Sequence, residues 1–161
     1  MNGHAKLDIV RSSPLAVDLT DEQCRILAGV IETRHLVDGE ILLEEGGFDH
    51  SLYVIMRGNV AVTKAVGGGD AEVLHILKAG ELAGALGFVD GQEHTATLRS
   101  LGSSEVFILE RNNFESLVQS QPQMVYQVMR AIIRTVHAIV RRMNTQYVEL
   151  TNYVSKQHGR Y

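Results

Sequence analysis

Seven histidines, one cysteine and a glycine-punctuated stretch from Gly80 to Arg99 carry the chemical potential of this 161-residue chain. Metal catalysis requires several convergent ligands. No His-x-His pair with a nearby glutamate occurs, and His75 stands alone in an apolar run. The single cysteine, Cys24, excludes an internal disulfide framework and any cysteine-cluster metal or iron–sulfur site. A Gly-x-Ser-x-Gly elbow, a P-loop and a Cys-x-x-Cys pair are all absent, so nothing in the residues argues for an enzyme. What is left is Gly80–Arg99, where glycines break the chain into turns and His94 can titrate in the physiological range.

These residues need a scaffold. At this length, 45% hydrophobic residues support a single core, and 21% charged residues among recurring apolar runs is not disorder-like. No cationic stretch followed by an apolar run opens the chain, and no segment reaches the roughly 18 apolar residues of a membrane span. A cytoplasmic protein without membrane contact is expected. The net charge of −4 argues weakly against a nucleic-acid binder. Residues 1–110 hold 8 Lys and Arg against 17 Asp and Glu, whereas 111–161 hold 7 against 2. A basic helix lying on an acidic body explains that split without an outside partner.

Residues 1–19, with Ser12-Ser13-Pro14, read as a partly ordered arm. Thr20 before Asp21-Glu22-Gln23 is an N-cap with an acidic first turn, and Ile26, Leu27, Val30 and Ile31 extend a helix over 20–32. From Arg34 the period changes. Apolar runs at 35–37, 41–43, 52–56, 60–62 and 73–77 are separated by glycine turns, and later strands fit Thr95–Arg99 and Glu105–Leu109. Such a series of about eight short strands predicts a sandwich, barrel or roll.

Arg111 to Val118 reads as a short helix, and Pro122 as a first-turn residue of a long one running to about Val154, roughly 50 Å. Val125, Met129, Ile132, Val136, Ile139 and Met143 are spaced 4, 3, 4, 3, 4. This is a heptad seam, followed by a stutter before Tyr147, Leu150 and Val154. A helix this long outruns a compact body, so the seam is expected to meet a twin helix in a parallel homodimer. Ile133 and Val140 widen the apolar surface enough to cover the body as well.

The order of these pieces, with Gly39-Glu40, Glu45-Gly46, Leu52-Tyr53-Val54-Ile55 and Arg57-Gly58-Asn59-Val60, resembles the opening half of the cyclic-nucleotide-binding domain family. Gly80-Glu81-Leu82-Ala83-Gly84-Ala85-Leu86-Gly87-Phe88 and Gly91-Gln92-Glu93-His94-Thr95-Ala96-Thr97-Leu98-Arg99 resemble its phosphate-binding cassette and the following strand, in the manner of the bacterial catabolite-activator branch. The resemblance spans about residues 20–145 and implies a mainly β fold with flanking helices. That fold is a double-stranded β-helix (a jelly-roll-like β-roll) over 20–120, an N-terminal helix, and a long C-terminal dimerisation helix with its tail over 121–161.

In such a cassette Gly84 turns the chain into a short helix at Ala85–Phe88, whose free N–H groups face an anion. The family adds a glutamate directly after this glycine for the ribose and an arginine at the start of the next strand for the phosphate. Here those positions are Ala85 and His94. Both charged ligands are absent. A hydrogen bond to a charged group contributes about 1.5–3 kcal/mol, so losing two removes roughly two to four decades of affinity. Arg99 lies at an odd offset from His94 and so points to the opposite face of the strand, as a surface or loop-anchoring residue. Glu81 belongs to the turn before the cassette rather than to a ribose site.

The family's long helix also covers the ligand, and counting from His94 puts Ile139 and Val140 there, apolar and without a hydroxyl. The candidate pocket is therefore Gly80, Glu81, Leu82, Gly84, Ala85, Leu86, His94, Thr95, Ala96, Ile139 and Val140. No metal or cofactor is implied, beyond a weakly held cyclic nucleotide or other anion. Haem-sensing relatives use His, Cys or Met ligands; Cys24, His75 and His94 qualify by type alone.

Transcriptional relatives carry a helix-turn-helix after the long helix. Residues 155–161 leave no room for one, so specific DNA binding is not expected, and Arg134, Arg141 and Arg142 offer at most nonspecific phosphate attraction. The expected function is a non-enzymatic, dimeric regulatory module that acts on an unidentified partner protein, with cyclic AMP and cyclic GMP binding weakened or lost. The alternative is a sensor that holds a cyclic nucleotide or another anion in an atypical mode, helped by protonated His94. A purely structural dimerisation protein is the third reading.

Overall fold

The computed structural model describes residues 3–158. The segment expected as a partly ordered arm instead contains a helix, α1 (Gly3–Ser12), and a 3-10 turn at Pro14–Ala16. Leu7 and Val10 fall on one face of α1 and pack into the core, and Leu15 follows them, fully buried. Ser12-Ser13-Pro14 ends the helix without unravelling it: the Ser13 hydroxyl donates to the Val10 carbonyl at 2.7 Å. Thr20 and Gln23 cap each other reciprocally at the start of α2 (Asp21–Ala28). That helix ends earlier than its apolar pattern implies, because Ile31 enters β1 (Ile31–Leu36) and pairs with Leu109.

Six strands among the described residues form one antiparallel sheet: β1, β2 (Ile41–Leu43), β3 (Ser51–Ala65), β4 (Ala71–Leu77), β5 (Leu82–Ala83) and β6 (Thr97–Glu110). The order is β1-β6-β3-β4, with β2 also on β6 and β5 on β3. Two long strands replace the pairs of short ones that the glycines predict. Leu52–Met56 and Val60–Val62 are both parts of β3, which bends at Gly58 (φ 82°) where its register with β6 shifts. A Cβ at Gly58 would sit 2.4 Å from the Ser103 carbonyl oxygen, so the glycine permits a close crossing instead of ending the strand. Val54 and Phe107 point into a core shared with the helices, whereas Tyr53, Ile55 and Val106 point inside the roll. This is the period-two alternation of strands buried on both faces.

After the short α4 (Arg111–Glu115), α5 runs from Pro122 to His158. Met124, Val128, Ala131 and Ile132 are buried against the body. Four residues of the expected seam, Val125, Met129, Ile132 and Val136, pack on that same core. The body therefore claims the first half of the seam. The outward apolar stripe is a different one: Tyr126, Ile133, Val140, Tyr147 and Val154 are seven apart and all exposed. Met143 and Leu150 lie three residues beyond Val140 and Tyr147 and are also exposed, which continues a heptad with no stutter. From Val140 to Gln157 every residue is exposed, a projection of about 27 Å. No described helix is long and apolar enough to cross a membrane.

Candidate functional site

A cavity of about 330 Å³ opens between the roll and α5. Its floor is the turn from β5 into α3 (Ala85–Asp90). Gly84 sits there at φ 79°, where a Cβ would approach the Ser51 carbonyl oxygen to 2.7 Å and the Tyr53 ring to 3.3 Å. Only glycine fits both the angle and the space. The Phe88 N–H donates to the Gly84 carbonyl at 2.9 Å, and the Phe88 ring, 5.4 Å from that of Phe114, anchors α3 to α4.

Of the candidate pocket residues, Leu82, Gly84, Ala85, Leu86, His94, Thr95, Ala96, Ile139 and Val140 line the cavity. Gly80 and Glu81 do not. Gly80 donates its N–H to the Ile55 carbonyl at 2.9 Å, which holds the turn, and Glu81 reaches for the long helix instead. Sequence reasoning missed much of the wall. Leu43, Val62, Leu77 and Leu98 arrive from four strands, and Val136 and Met143 from α5. The strand alternation marked inward positions, but which of them meet is decided by long-range pairing. The heptad spacing assigns Val136 and Met143 to a seam alone, whereas one helix face serves both body and cavity.

No Lys or Arg lines this cavity among the described residues; its ionisable wall groups are Glu93, His75 and His94. His94 is pinned by its backbone, donating to the Gly47 carbonyl (2.9 Å) and accepting from the Gly46 N–H (2.7 Å). Its side chain is 7% exposed, and Nε2 is sealed from solvent without a hydrogen-bond partner, 3.7 Å from Asp49 Oδ2. That carboxylate accepts the Tyr53 hydroxyl (2.5 Å) and the Ser51 N–H (2.8 Å). Burial, and then the bond to Asp49, push the Tyr53 phenol well above its ordinary range. Tyr53 thus holds Asp49 beside the imidazole.

A second cluster closes the flank. Glu81 Oε1 lies 2.5 Å from Arg142 Nη2 on α5, and Glu81 Oε2 accepts the Lys78 N–H at 2.8 Å. Arg142 also reaches His75 Nε2 at 2.6 Å; a guanidinium only donates, so the imidazole nitrogen accepts. Side chains from β4, the turn before β5 and α5 are tied together here. Arg99 is exposed and donates to the Gly39 carbonyl at 3.0 Å, anchoring a loop as its strand offset implies. Cys24 is buried under the helices, away from the cavity, and burial followed by the Asp21 charge pushes its thiol up. Among the described residues no group of three or more His, Cys, Asp or Glu is placed to hold a metal ion.

Residues 33–121 match the family described as the cyclic nucleotide-binding domain. The chain is 24% identical over 141 residues to neuropathy target esterase sws of Drosophila erecta, a match covering 83% of this chain and 10% of that protein. It therefore spans about a tenth of the length of that curated relative. A solved cyclic nucleotide-binding domain from Methylobacillus flagellatus is similar with a TM-score of 0.79 at 21% identity, over 91% of this chain and 83% of that one. The catabolite activator protein of Thermus thermophilus gives 0.69 at 22% identity, over 86% and 63%. These likenesses bear out the roll with its flanking helices.

Proposed function

The chain belongs to the cyclic nucleotide-binding domain family, and on that premise we propose that it is a non-enzymatic regulatory module in which ordinary binding of cyclic AMP and cyclic GMP is weakened or lost. The observation that carries the reading is the cavity wall. Ala85 and His94 stand at the two positions where the family carries charged ligands, and among the described residues no Lys or Arg lines the wall to replace them. A phosphate entering there would surrender its hydration beside Glu93 with only the backbone N–H groups of the Gly84 turn to replace it, which is unfavourable. Calorimetry with both nucleotides tests this: no saturable heat at micromolar concentrations is expected, and tight binding would overturn it. The match to an esterase covers 10% of that protein, and the chain has no Gly-x-Ser-x-Gly elbow. The esterase's activity is therefore not carried over to this chain.

Output in this reading runs through a homodimer and an unidentified partner protein in the cytoplasm. The exposed heptad stripe on α5 supports the dimer, since a projecting helix with that spacing buries its apolar face best against a twin. A second reading, an anion sensor, draws on His94, which lines the cavity with Asp49 Oδ2 3.7 Å from its Nε2. Cyclic nucleotide binding seen only under acidic conditions, and abolished by His94→Ala, would select it.

A further inference from the structure

We infer that the cavity between the roll and α5 is a binding site for a neutral, mostly hydrocarbon small molecule. The inference deepens the functional reading above and rests on its claim that the cavity does not serve cyclic nucleotides.

Size and lining agree. A volume of about 330 Å³ falls within the ~300–1,000 Å³ typical of small-molecule sites. Leu43, Val62, Leu77 and Leu98 face it from the roll, Ile139 and Met143 from the helix. Hydrocarbon transferred from water to such a wall is stabilised by leaving water.

Charge then selects a neutral ligand over an anionic one. The Nε2 atom of each imidazole on the wall faces another side chain rather than the ligand. His94 Nε2 is sealed and turned toward Asp49 at 3.7 Å, and His75 Nε2 is engaged by Arg142 at 2.6 Å. Arg142 itself lies outside the wall, its charge matched by Glu81. Glu93 on the wall repels an anion. An ionised head group would lose hydration without a counter-charge, whereas an uncharged one forfeits little.

The test uses the full chain and the neutral fluorophore N-phenyl-1-naphthylamine, with dodecan-1-ol, dodecanoate and cyclic AMP as competitors. Saturable binding, displaced by dodecan-1-ol at least tenfold better than by dodecanoate, is expected. Ala96→Phe and Ile139→Phe fill the cavity from opposite sides and should each weaken the probe at least tenfold, with folding verified by circular dichroism. Tyr147→Asp, on the exposed stripe, should leave the probe affinity unchanged. A folded chain that does not take the probe would overturn the inference, as would filled variants that bind like the parent or a preference for dodecanoate. Displacement by micromolar cyclic AMP would instead overturn the functional reading. Loss of probe binding with no response to cyclic AMP sinks only the present inference.

Discussion

Arg142 on α5 places its guanidinium 2.5 Å from the Glu81 carboxylate, which joins the projecting helix to the turn that leads into the cassette. The Glu81 side chain is only 12% exposed. In Arg142→Ala it would keep the Lys78 N–H as a donor but lose its counter-charge. The expected cost is about 1–3 kcal/mol, between the values for exposed and buried pairs because the arginine is partly solvated. Amide exchange in α5 beyond Val136 should accelerate. Unchanged exchange there would show that the clasp does not hold the helix.

Tyr53 gives the chain an alkaline weakness. In the unfolded chain its phenol ionises near pH ~10. In the fold, burial and the bond to Asp49 raise that value, so the proton is retained. The unfolded state then binds fewer protons than the native state. The associated stability is whole below pH ~10 and falls as pH rises past it toward the folded value. Melting curves between about pH 8 and 11 should show this decline, and Tyr53→Phe should lack this tyrosine's share of it. At neutral pH the variant should lose about 1 kcal/mol with the Asp49 bond. Parallel curves for the two proteins would contradict the assignment.

The α5 stripe makes a prediction about mass. Ile133→Asp and Tyr147→Asp introduce charges at exposed positions of the heptad and should convert a dimer to a folded monomer in sedimentation. Ile132→Asp is a different experiment, because Ile132 is 2% exposed and belongs to the core. That substitution buries an unpaired charge and should unfold the domain. A dimer that persists in both stripe variants would place the interface elsewhere.

Local features are legible in the sequence, and tertiary ones are not. The Thr20–Gln23 cap, the Gly84 turn and the loop role of Arg99 each depend on a few neighbouring residues. Gly58 looks like a strand end because a glycine turn and a glycine bulge have the same composition; only the β3–β6 pairing separates them. The α5 seam shifted by one position for a similar reason. Two heptad registers coexist in the helix, and the body selects which is covered. Ala85 and His94 could be placed by resemblance, but the apolar far wall and the Arg142–Glu81 clasp join residues distant in the chain. No local pattern announces them.

The central claim is that the cassette keeps its glycine turn while the side-chain half of the nucleotide site is gone. Calorimetric titration of cyclic AMP into the parent chain and into Ala85→Glu/His94→Arg, side by side, tests it most directly. Two restored charge-assisted hydrogen bonds of about 1.5–3 kcal/mol each should tighten binding by roughly two to four decades over a parent that does not saturate at micromolar nucleotide. A parent that already binds cyclic AMP at micromolar concentrations, with no gain in the double variant, would contradict the account.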